Sequence, residues 1–342
     1  MMFTNIEGHE RPITILKRAL ANNTLAHAYL FSGEAGIGKK MTAFALAAAV
    51  NCTDSGPEGG CGACPSCRRV AALTHPDVHV VMPESEDVRL LSTWTSKEVA
   101  KASDEIKIDQ IRQAQDRISL KPFEGQKNIL IVDGAETLNA AAQNAFLKTL
   151  EEPPGDALII LVTSMSQSLL PTIRSRCQEI RFQPLPRRTL AQALVKKRGL
   201  PEGDAWFLAA LAQGSMGRAL GMDVEQEKAA REELMTFWAG LGQMGPGEVL
   251  ARAEALGKDR DRLEGLLDIG VERIRDVLVY RATRNEALLV YGHGTDPQWR
   301  ARVPLQQLLA DMELFTTSRV LLGRRASAQL VAENLLLKLG RG

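Results

Sequence analysis

The stretch that decides the fold is residues 30–40, which read LFSGEAGIGKK. Gly33, Gly38 and Lys39 match the pattern G-x-x-x-x-G-K, a loop that holds nucleotide phosphates between a β-strand and an α-helix. The glycines allow backbone N–H groups to point at an anion, and the helix that follows adds its positive N-terminal end. Gly36 gives the loop further backbone freedom. The sequence therefore predicts a phosphate site at this point of the chain.

Two positions near this loop depart from what ATP hydrolysis requires. The loop motif normally ends in Ser or Thr, whose hydroxyl holds Mg²⁺, and here that position is Lys40. Asp133 ends the apolar run 129–132 and has the place of a carboxylate near Mg²⁺, but the next residue, where many ATPases have a general base, is Gly134. Glu136 lies too far along the chain to be taken as equivalent. Because the departures affect metal holding and water activation, we predict a degenerate ATPase site.

Short apolar runs alternate with amphipathic segments over the first half of the chain. We predict strands at residues 28–31, 78–82, 128–132, 157–162 and 179–182. We predict helices between them at residues 12–22, 42–50, 110–120, 140–150 and 171–175. Asp109 is the expected N-cap of the third helix. This alternation predicts an α/β domain with a parallel sheet covered by helices on both faces.

The pattern changes after residues 184–186, which read PLP. Strand signals become rare, and seven helices are predicted, at residues 188–198, 204–213, 226–241, 246–256, 260–283, 304–317 and 326–339. We therefore expect a domain at 1–182, a small helical unit at 183–225 and an all-helical domain at 226–342. Residues 84–104 are polar and irregular, and we interpret them as a connection.

Four of the five cysteines lie close together, with the spacing C-x₈-C-x₂-C-x₂-C. They are Cys52, Cys61, Cys64 and Cys67. Two overlapping C-x-x-C turns direct thiolates toward one centre, and four thiolates form the closed tetrahedral site of a structural zinc ion. An iron–sulfur cluster and four unliganded thiols are the alternatives. We predict structural Zn²⁺ in a module at residues 52–67, and we expect Cys177 to be a buried apolar residue.

Composition limits the function classes. The chain has 342 residues, 42 basic and 41 acidic side chains, and a net charge of +1, so it lacks an overall basic character for nucleic-acid binding. No apolar run is long enough for a transmembrane helix, and residues 1–12 lack the apolar core of a secretory leader. The few cysteines argue against a disulfide scaffold. We expect a cytoplasmic protein that does not associate with membranes.

Two arginine-bearing segments remain to be interpreted. Arg174 and Arg176 follow the fourth apolar run in LLPTIRSRC, where they are either solvated charges or an arginine finger that reaches the ATP of a neighbouring subunit. Arg218 lies in GSMGR, at the start of a helix in the small helical unit. It either contacts a phosphate or is exposed.

Taken together, these segments resemble the AAA+ clamp-loader subunits of bacterial DNA polymerase III. The resemblance is carried by HAYLFSGEAGIGKK, the four cysteines, KNILIVDGAETLNAAAQNAFLKTLEEPP, LLPTIRSRCQEIRF and GSMGRAL. It is dense over residues 5–222 and weak over the helical C-terminal part. It implies a RecA-like ATPase domain, a small helical lid and an all-α C-terminal collar that holds a pentameric ring. The implied partners are the gamma/tau and delta subunits, and the beta sliding clamp at primed DNA.

The resemblance also assigns roles to residues. It implies that the nucleotide site, which takes ATP or ADP, comprises Gly33, Gly36, Gly38, Lys39, Lys40, Asp133 and Arg218. Thr163 or Ser164 falls at the first sensor position, Arg218 at the second, and Arg176 is the finger that acts in trans. With Lys40 and Gly134 as they are, the chain fits a rigid stator that is neither a polymerase nor an ATPase by itself.

Two other functions are consistent with parts of the sequence. A gamma-like motor with its own ATPase activity would be favoured by Ser or Thr at position 40 and an acidic residue at 134, and both are absent. A zinc-bearing DNA-binding or repair ATPase is disfavoured by the net charge of +1 and by an aromatic content of 5%, too low for a stacking platform. The stator remains the leading hypothesis.

Overall fold

The fold is described by a computed structural model that covers residues 2–56, 58–85, 103–241, 244–289, 303–323 and 326–339. Contacts divide the chain into two units, one made of Met1–Ala205 with Ala212–Leu220, the other of Trp206–Leu211 with Gly221–Gly342. The three-domain division at residues 182 and 225 stays a prediction. The predicted connection at 84–104 lies largely outside the described residues.

The first unit contains a five-stranded sheet in which every pair of neighbours is parallel. The strands follow the order β2-β3-β4-β1-β5. They are β1 (Ala28–Ser32), β2 (Val78–Val81), β3 (Ile129–Asp133), β4 (Leu158–Thr163) and β5 (Gln178–Arg181). The predicted parallel α/β class is confirmed, because each apolar run forms a strand and the segments between the runs provide the crossovers.

Helices cover the sheet on both faces. They are α1 (Glu10–Ala21), α2 (Lys39–Val50), α3 (Pro65–Ala71), α4 (Ile108–Ile118), α5 (Ala140–Glu151) and α6 (Pro171–Arg174); α7 (Arg187–Arg198) follows the last strand along the chain. Side chains of β1 alternate between two cores: Tyr29 and Phe31 pack in the core that contains α2, and Leu30 packs in the core that contains α4 and α5. This alternation follows from the period of two residues in a strand. The parallel pairing places the carboxyl ends of all five strands at one edge of the sheet.

Helix α4 begins earlier than predicted. Asp109 was expected to be the N-cap, but the N-cap is Lys107 and Asp109 lies in the first turn. The side-chain oxygen of Gln110 accepts a hydrogen bond from the Lys107 amide at 2.9 Å, which satisfies a backbone group at the start of the helix. Asp109 instead places a negative charge near the positive end of the helix dipole.

The remaining described elements are helical. They are α8 (Glu202–Leu211), α9 (Met216–Gly221), α10 (Val224–Leu241), α11 (Pro246–Gly257), α12 (Arg260–Thr283), α13 (Leu305–Gly323) and α14 (Ala328–Leu339). In the second unit, residues from the four helices α11, α12, α13 and α14 form one hydrophobic core. A Cβ on Gly270 of α12 would lie 2.2 Å from the ring of Phe315 on α13, so the glycine permits the close approach of these helices. Among the described residues, no helix combines the length and the apolar character needed to span a bilayer.

Candidate functional site

The phosphate loop lies between β1 and α2, as the motif predicted. Its three glycines have positive φ angles, which residues with a side chain rarely adopt. Lys39 begins α2, is buried, and its Nζ donates hydrogen bonds to the carbonyl oxygens of Gly33 and Glu34. Burial lowers the pKa of Lys39 below its ordinary value, while the nearby carboxylates of Glu136 and Asp133 oppose that shift. An entering phosphate would replace the two loop carbonyls as the partner of this ammonium group.

Lys40 forms an ion pair with the carboxylate at the end of β3. Its Nζ lies 2.7 Å from Oδ2 of Asp133. The Asp133 side chain is only 14% exposed, so this carboxylate requires a partner, and the neighbouring lysine provides one. Lys40, at the last motif position, and Asp133, at the end of the strand, therefore contact each other directly. In an active site of this type, the residues at these two positions hold Mg²⁺ between them.

Glu136 lines the same cavity as Lys39, Lys40 and Asp133, although no motif in the sequence predicts it. The residue after Asp133 is Gly134, and a short 3₁₀ turn at Ala135–Thr137 carries Glu136 back toward the carboxyl end of β4. One oxygen, Oε1, accepts hydrogen bonds from the amide and hydroxyl of Ser164. Burial would raise the pKa of Glu136, but the bonds from Ser164 outweigh it and hold the pKa below its ordinary value. The other oxygen, Oε2, is buried and has no hydrogen-bond partner among the described residues.

The loop also contacts the GSMGR segment. The Gly217 amide donates a hydrogen bond of 2.8 Å to the carbonyl of Gly36. A Cβ on Gly36 would lie 2.3 Å from Oγ of Ser215, so only glycine fits at this approach. Arg218, which the resemblance assigned to the nucleotide site, is exposed and is not among the described residues that line the cavity. The backbone of this segment contacts the loop through the Gly217 amide.

A cavity of about 460 Å³ opens beside the phosphate loop. Its lining includes polar residues, namely Asn5, Glu7, Lys39, Lys40, Asp133, Glu136, Thr163, Ser164 and Lys197. It also includes apolar side chains, among them Ile6, Ile37, Met41, Leu185, Met216 and Leu220. The volume lies within the range of small-ligand sites, about 300–1,000 Å³, and the combination suits a ligand with an anionic end and an apolar end.

The four clustered cysteines are brought together as the spacing predicted. Their sulfur atoms all lie within 4.8 Å of one another, and Sγ of Cys52 is 3.8 Å from Sγ of Cys64. Zn–S bonds of about 2.3 Å in a tetrahedron place sulfur atoms about 3.8 Å apart. Backbone amides also donate hydrogen bonds to the sulfur atoms of Cys52, Cys61 and Cys64, an arrangement that suits negatively charged thiolates. The residues present therefore fit a tetrahedral metal ion.

The cysteines differ in their surroundings. Burial raises the pKa of Cys67 to about 12. At Cys64, burial is outweighed by hydrogen bonds from the Cys67 amide and from Thr53, which lower the pKa to about 6. Cys177 lies outside the cluster and is half-buried against the second core, and burial raises its pKa to about 12.

Arg176 follows α6 and is held by its own chain. Its guanidinium donates 2.8 Å to the carbonyl of Thr172 and forms an ion pair with Glu151 at the end of α5. Both side chains remain partly exposed, at 32% for Arg176 and 49% for Glu151. The arginine thus lies at the surface, where its guanidinium contacts the carbonyl of Thr172 and the carboxylate of Glu151. Other acceptor groups can replace these two contacts.

Comparison with known proteins identifies the family. The family described as "DNA polymerase III, delta subunit" matches residues 8–186. The delta prime subunit of Pseudomonas aeruginosa DNA polymerase III is 31% identical over 261 residues, which is 76% of this chain and 74% of that protein. The chain belongs to the delta prime family of clamp-loader subunits.

Other relatives cover less of their own length. The delta prime subunit of Bacillus subtilis is 35% identical over 191 residues, or 56% of this chain and 52% of that protein. The gamma/tau subunit of Mycobacterium tuberculosis is 30% identical over 309 residues, or 83% of this chain and 50% of that protein. The chain therefore spans about half the length of two of these three relatives.

Within this delta prime family member, sequence reasoning named part of the cavity lining, from the loop, Asp133, Thr163 and Ser164, and left out other residues on it or beside it, among them Glu136 and His9. Glu136 was set aside because of its distance from the aspartate in sequence. His9 was not considered, yet its Nε2 donates to the carbonyl of Ile37 in the loop at 2.6 Å, and burial lowers its pKa. The positive φ of His9, 61°, turns the chain toward the loop, and nothing in the sequence GHERP signals that conformation.

Proposed function

We propose that this chain is the stator of the ring that loads the beta sliding clamp onto primed DNA. In this role it binds the gamma/tau and delta subunits in the cytoplasm and does not hydrolyse ATP. It reaches the clamp and DNA through the assembled complex, with the small helical unit as a lid and the C-terminal helices as the collar. The observation that carries the proposal is the ion pair between Lys40 and Asp133, at 2.7 Å.

This ion pair supports a non-catalytic role for a physical reason. Hydrolysis of ATP in this class of site requires a metal ion to neutralise charge on the phosphates and a group that orients the attacking water. Lys40 offers no oxygen to a metal, and it occupies the carboxylate that would hold one. Gly134 offers no base, and Glu136 is engaged with Ser164. The site thus lacks both requirements.

The proposal gives Arg176 a role in trans. Its guanidinium is exposed at the surface and would neutralise charge on the γ-phosphate bound by an adjacent gamma/tau subunit. The proposed Zn²⁺ is structural, because four thiolates leave no position for water, and it would fix the segment between α2 and α3. The distances among the four sulfurs support this.

The test is reconstitution of the whole loader with Arg176→Ala. An arginine finger increases turnover at its own site by a factor of roughly 10³–10⁵. The total ATPase of the loader should fall by a smaller factor, because the other sites in the ring keep their fingers. We expect normal assembly with reduced clamp-stimulated ATPase and reduced loading on primed DNA. Arg181→Ala is the matched control, since Arg181 is also exposed and paired with a glutamate. Normal assembly with both activities unaltered would show that Arg176 is a surface charge.

A further inference from the structure

The phosphate loop of this chain has a built-in cation where related sites hold a metal. Mg²⁺ in such sites is held by the hydroxyl at the last motif position and by the strand-end aspartate. Here those positions are Lys40 and Asp133, whose charged atoms lie 2.7 Å apart. The Lys40 side chain is 37% exposed, so its ammonium group also faces the cavity that it lines. A divalent ion at this place would meet a positive charge and a carboxylate that is already paired.

The rest of the loop retains what an anion requires. Lys39 is buried at the first turn of α2, and its present partners are loop carbonyls that a phosphate oxygen can replace. The glycines keep the positive φ angles that turn backbone N–H groups inward. Three lysines, Lys39, Lys40 and Lys197, therefore line one cavity of about 460 Å³.

The charges in the cavity favour two phosphates over three. Lys40 supplies one positive charge where Mg²⁺ would supply two. Glu136 adds a carboxylate whose Oε2 is buried without a hydrogen-bond partner among the described residues. It lies beside Ser164 at the carboxyl end of β4 and lines the cavity that phosphates would enter. A γ-phosphate would thus approach the negative charge of this carboxylate.

We propose that this loop binds a nucleoside diphosphate without Mg²⁺, with the Lys40 ammonium group in the place of the metal. The apolar side chains of Ile6, Leu185 and Met216 line the part of the cavity that would receive the base. This inference deepens the proposed non-hydrolytic role and rests on it. A stator that holds a diphosphate permanently would keep the loop ordered without depending on turnover.

The experiment measures ADP binding to the isolated chain by calorimetry, once with EDTA and once with MgCl₂. We expect the same dissociation constant in both buffers, and weaker binding of ATP than of ADP. Lys40→Ser is expected to weaken ADP binding in EDTA by about tenfold or more, because a charged hydrogen bond is lost, and to make the binding depend on Mg²⁺. Lys40→Arg keeps the charge and should remain independent of Mg²⁺.

Lys148→Ser is the matched control, since Lys148 is an exposed lysine on α5 and is not among the cavity-lining residues. It should bind ADP like the unaltered chain. Binding that requires Mg²⁺, or no ADP binding in either buffer, would overturn the inference and leave the stator role intact. Equal or tighter binding of ATP would overturn the diphosphate preference, and pyrophosphate binding as tight as ADP would overturn recognition of the nucleoside. Magnesium-dependent turnover of ATP would instead overturn the proposed function.

Discussion

Replacing Cys67 by serine should remove the proposed zinc ion from the cluster. Cys67 is fully buried, and its sulfur is one of the four that lie within 4.8 Å of one another. A hydroxyl is a poor ligand for zinc compared with a thiolate, and three thiolates leave the tetrahedron open. Freshly purified protein should contain one zinc ion per chain, and the Cys67→Ser protein should contain much less.

The size of the effect follows from linkage between binding and folding. The sulfur positions already match a tetrahedral site, so binding to the folded chain requires little rearrangement. With free zinc at 1,000 times its dissociation constant, the folded state gains about 4.1 kcal/mol. A folded unit of 150–250 residues gains about 2–4 °C in Tm per kcal/mol, so chelation should lower Tm by about 8–16 °C. The first unit, Met1–Ala205 with Ala212–Leu220, falls in this range of size.

The assay is calorimetry with and without a chelator, combined with hydrogen exchange to assign the transition to the sheet. The chelator should lower the Tm of the unaltered chain and of Cys177→Ser, because Cys177 lies outside the cluster. The chelator should leave the Tm of the Cys67→Ser protein unchanged, even if the substitution itself lowers that Tm by disturbing the core. An equal response of Cys67→Ser and the unaltered chain to the chelator would refute the reasoning, as would the absence of zinc from untreated protein.

Three further predictions concern turnover, the arginine finger and pH. The isolated chain should hydrolyse ATP only at background rate, and phosphate release that depends on Mg²⁺ and disappears in Lys39→Ala would contradict this. Glu151→Gln should raise turnover at the site that Arg176 reaches by up to about fivefold, and the clamp-stimulated ATPase of the whole loader by less, since an exposed ion pair that tethers Arg176 is worth at most about 1 kcal/mol. A lower or unchanged rate would count against the tether. The fold lowers the pKa of three histidines, so the unfolded chain binds protons more readily than the folded chain. The free energy of unfolding should therefore keep its full value above a pH of about 6.5 and decrease as the pH falls below it. A series of Tm measurements from pH 8 to 5.5 tests this, and a flat profile would contradict it. Burial is the leading cause of the lowered pKa in all three, namely His9, His75 and His79.

The sheet could be predicted from the sequence because its signals are local. Each strand is a short apolar run, and the phosphate loop has a motif that requires a strand before it and a helix after it. The cysteine spacing likewise determined which sulfur atoms would meet. The predicted start of α4 was wrong because Asp109 and the Lys107–Gln110 contact compete locally, and composition does not decide between two caps.

The missing parts of the site depend on contacts across the fold. Lys40 was recognised as an absent magnesium ligand, but its pairing with Asp133 depends on how β1, β4 and β3 are ordered in the sheet. Glu136 reaches the cavity only because Gly134 and the 3₁₀ turn redirect the chain. The role of Arg218 in the site stays a prediction, and the contact of the Gly217 amide with the loop carbonyl of Gly36 had no signal in the sequence. Such long-range placement leaves no periodic pattern in the sequence.

Two of the ion pairs among the described residues, Lys40–Asp133 and Arg176–Glu151, differ in a way that suits a stator. Asp133 is nearly buried, so breaking its pair with Lys40 would leave a carboxylate poorly solvated, and that pair should persist. The pair between Arg176 and Glu151 is exposed on both sides, and such pairs contribute only about 0–1 kcal/mol, so a phosphate from another subunit can replace Glu151 at little cost. The chain's own phosphate site is therefore fixed in one arrangement, while its arginine is free to change partner. A subunit with these properties would act on its neighbour's nucleotide while its own site stays the same through the cycle.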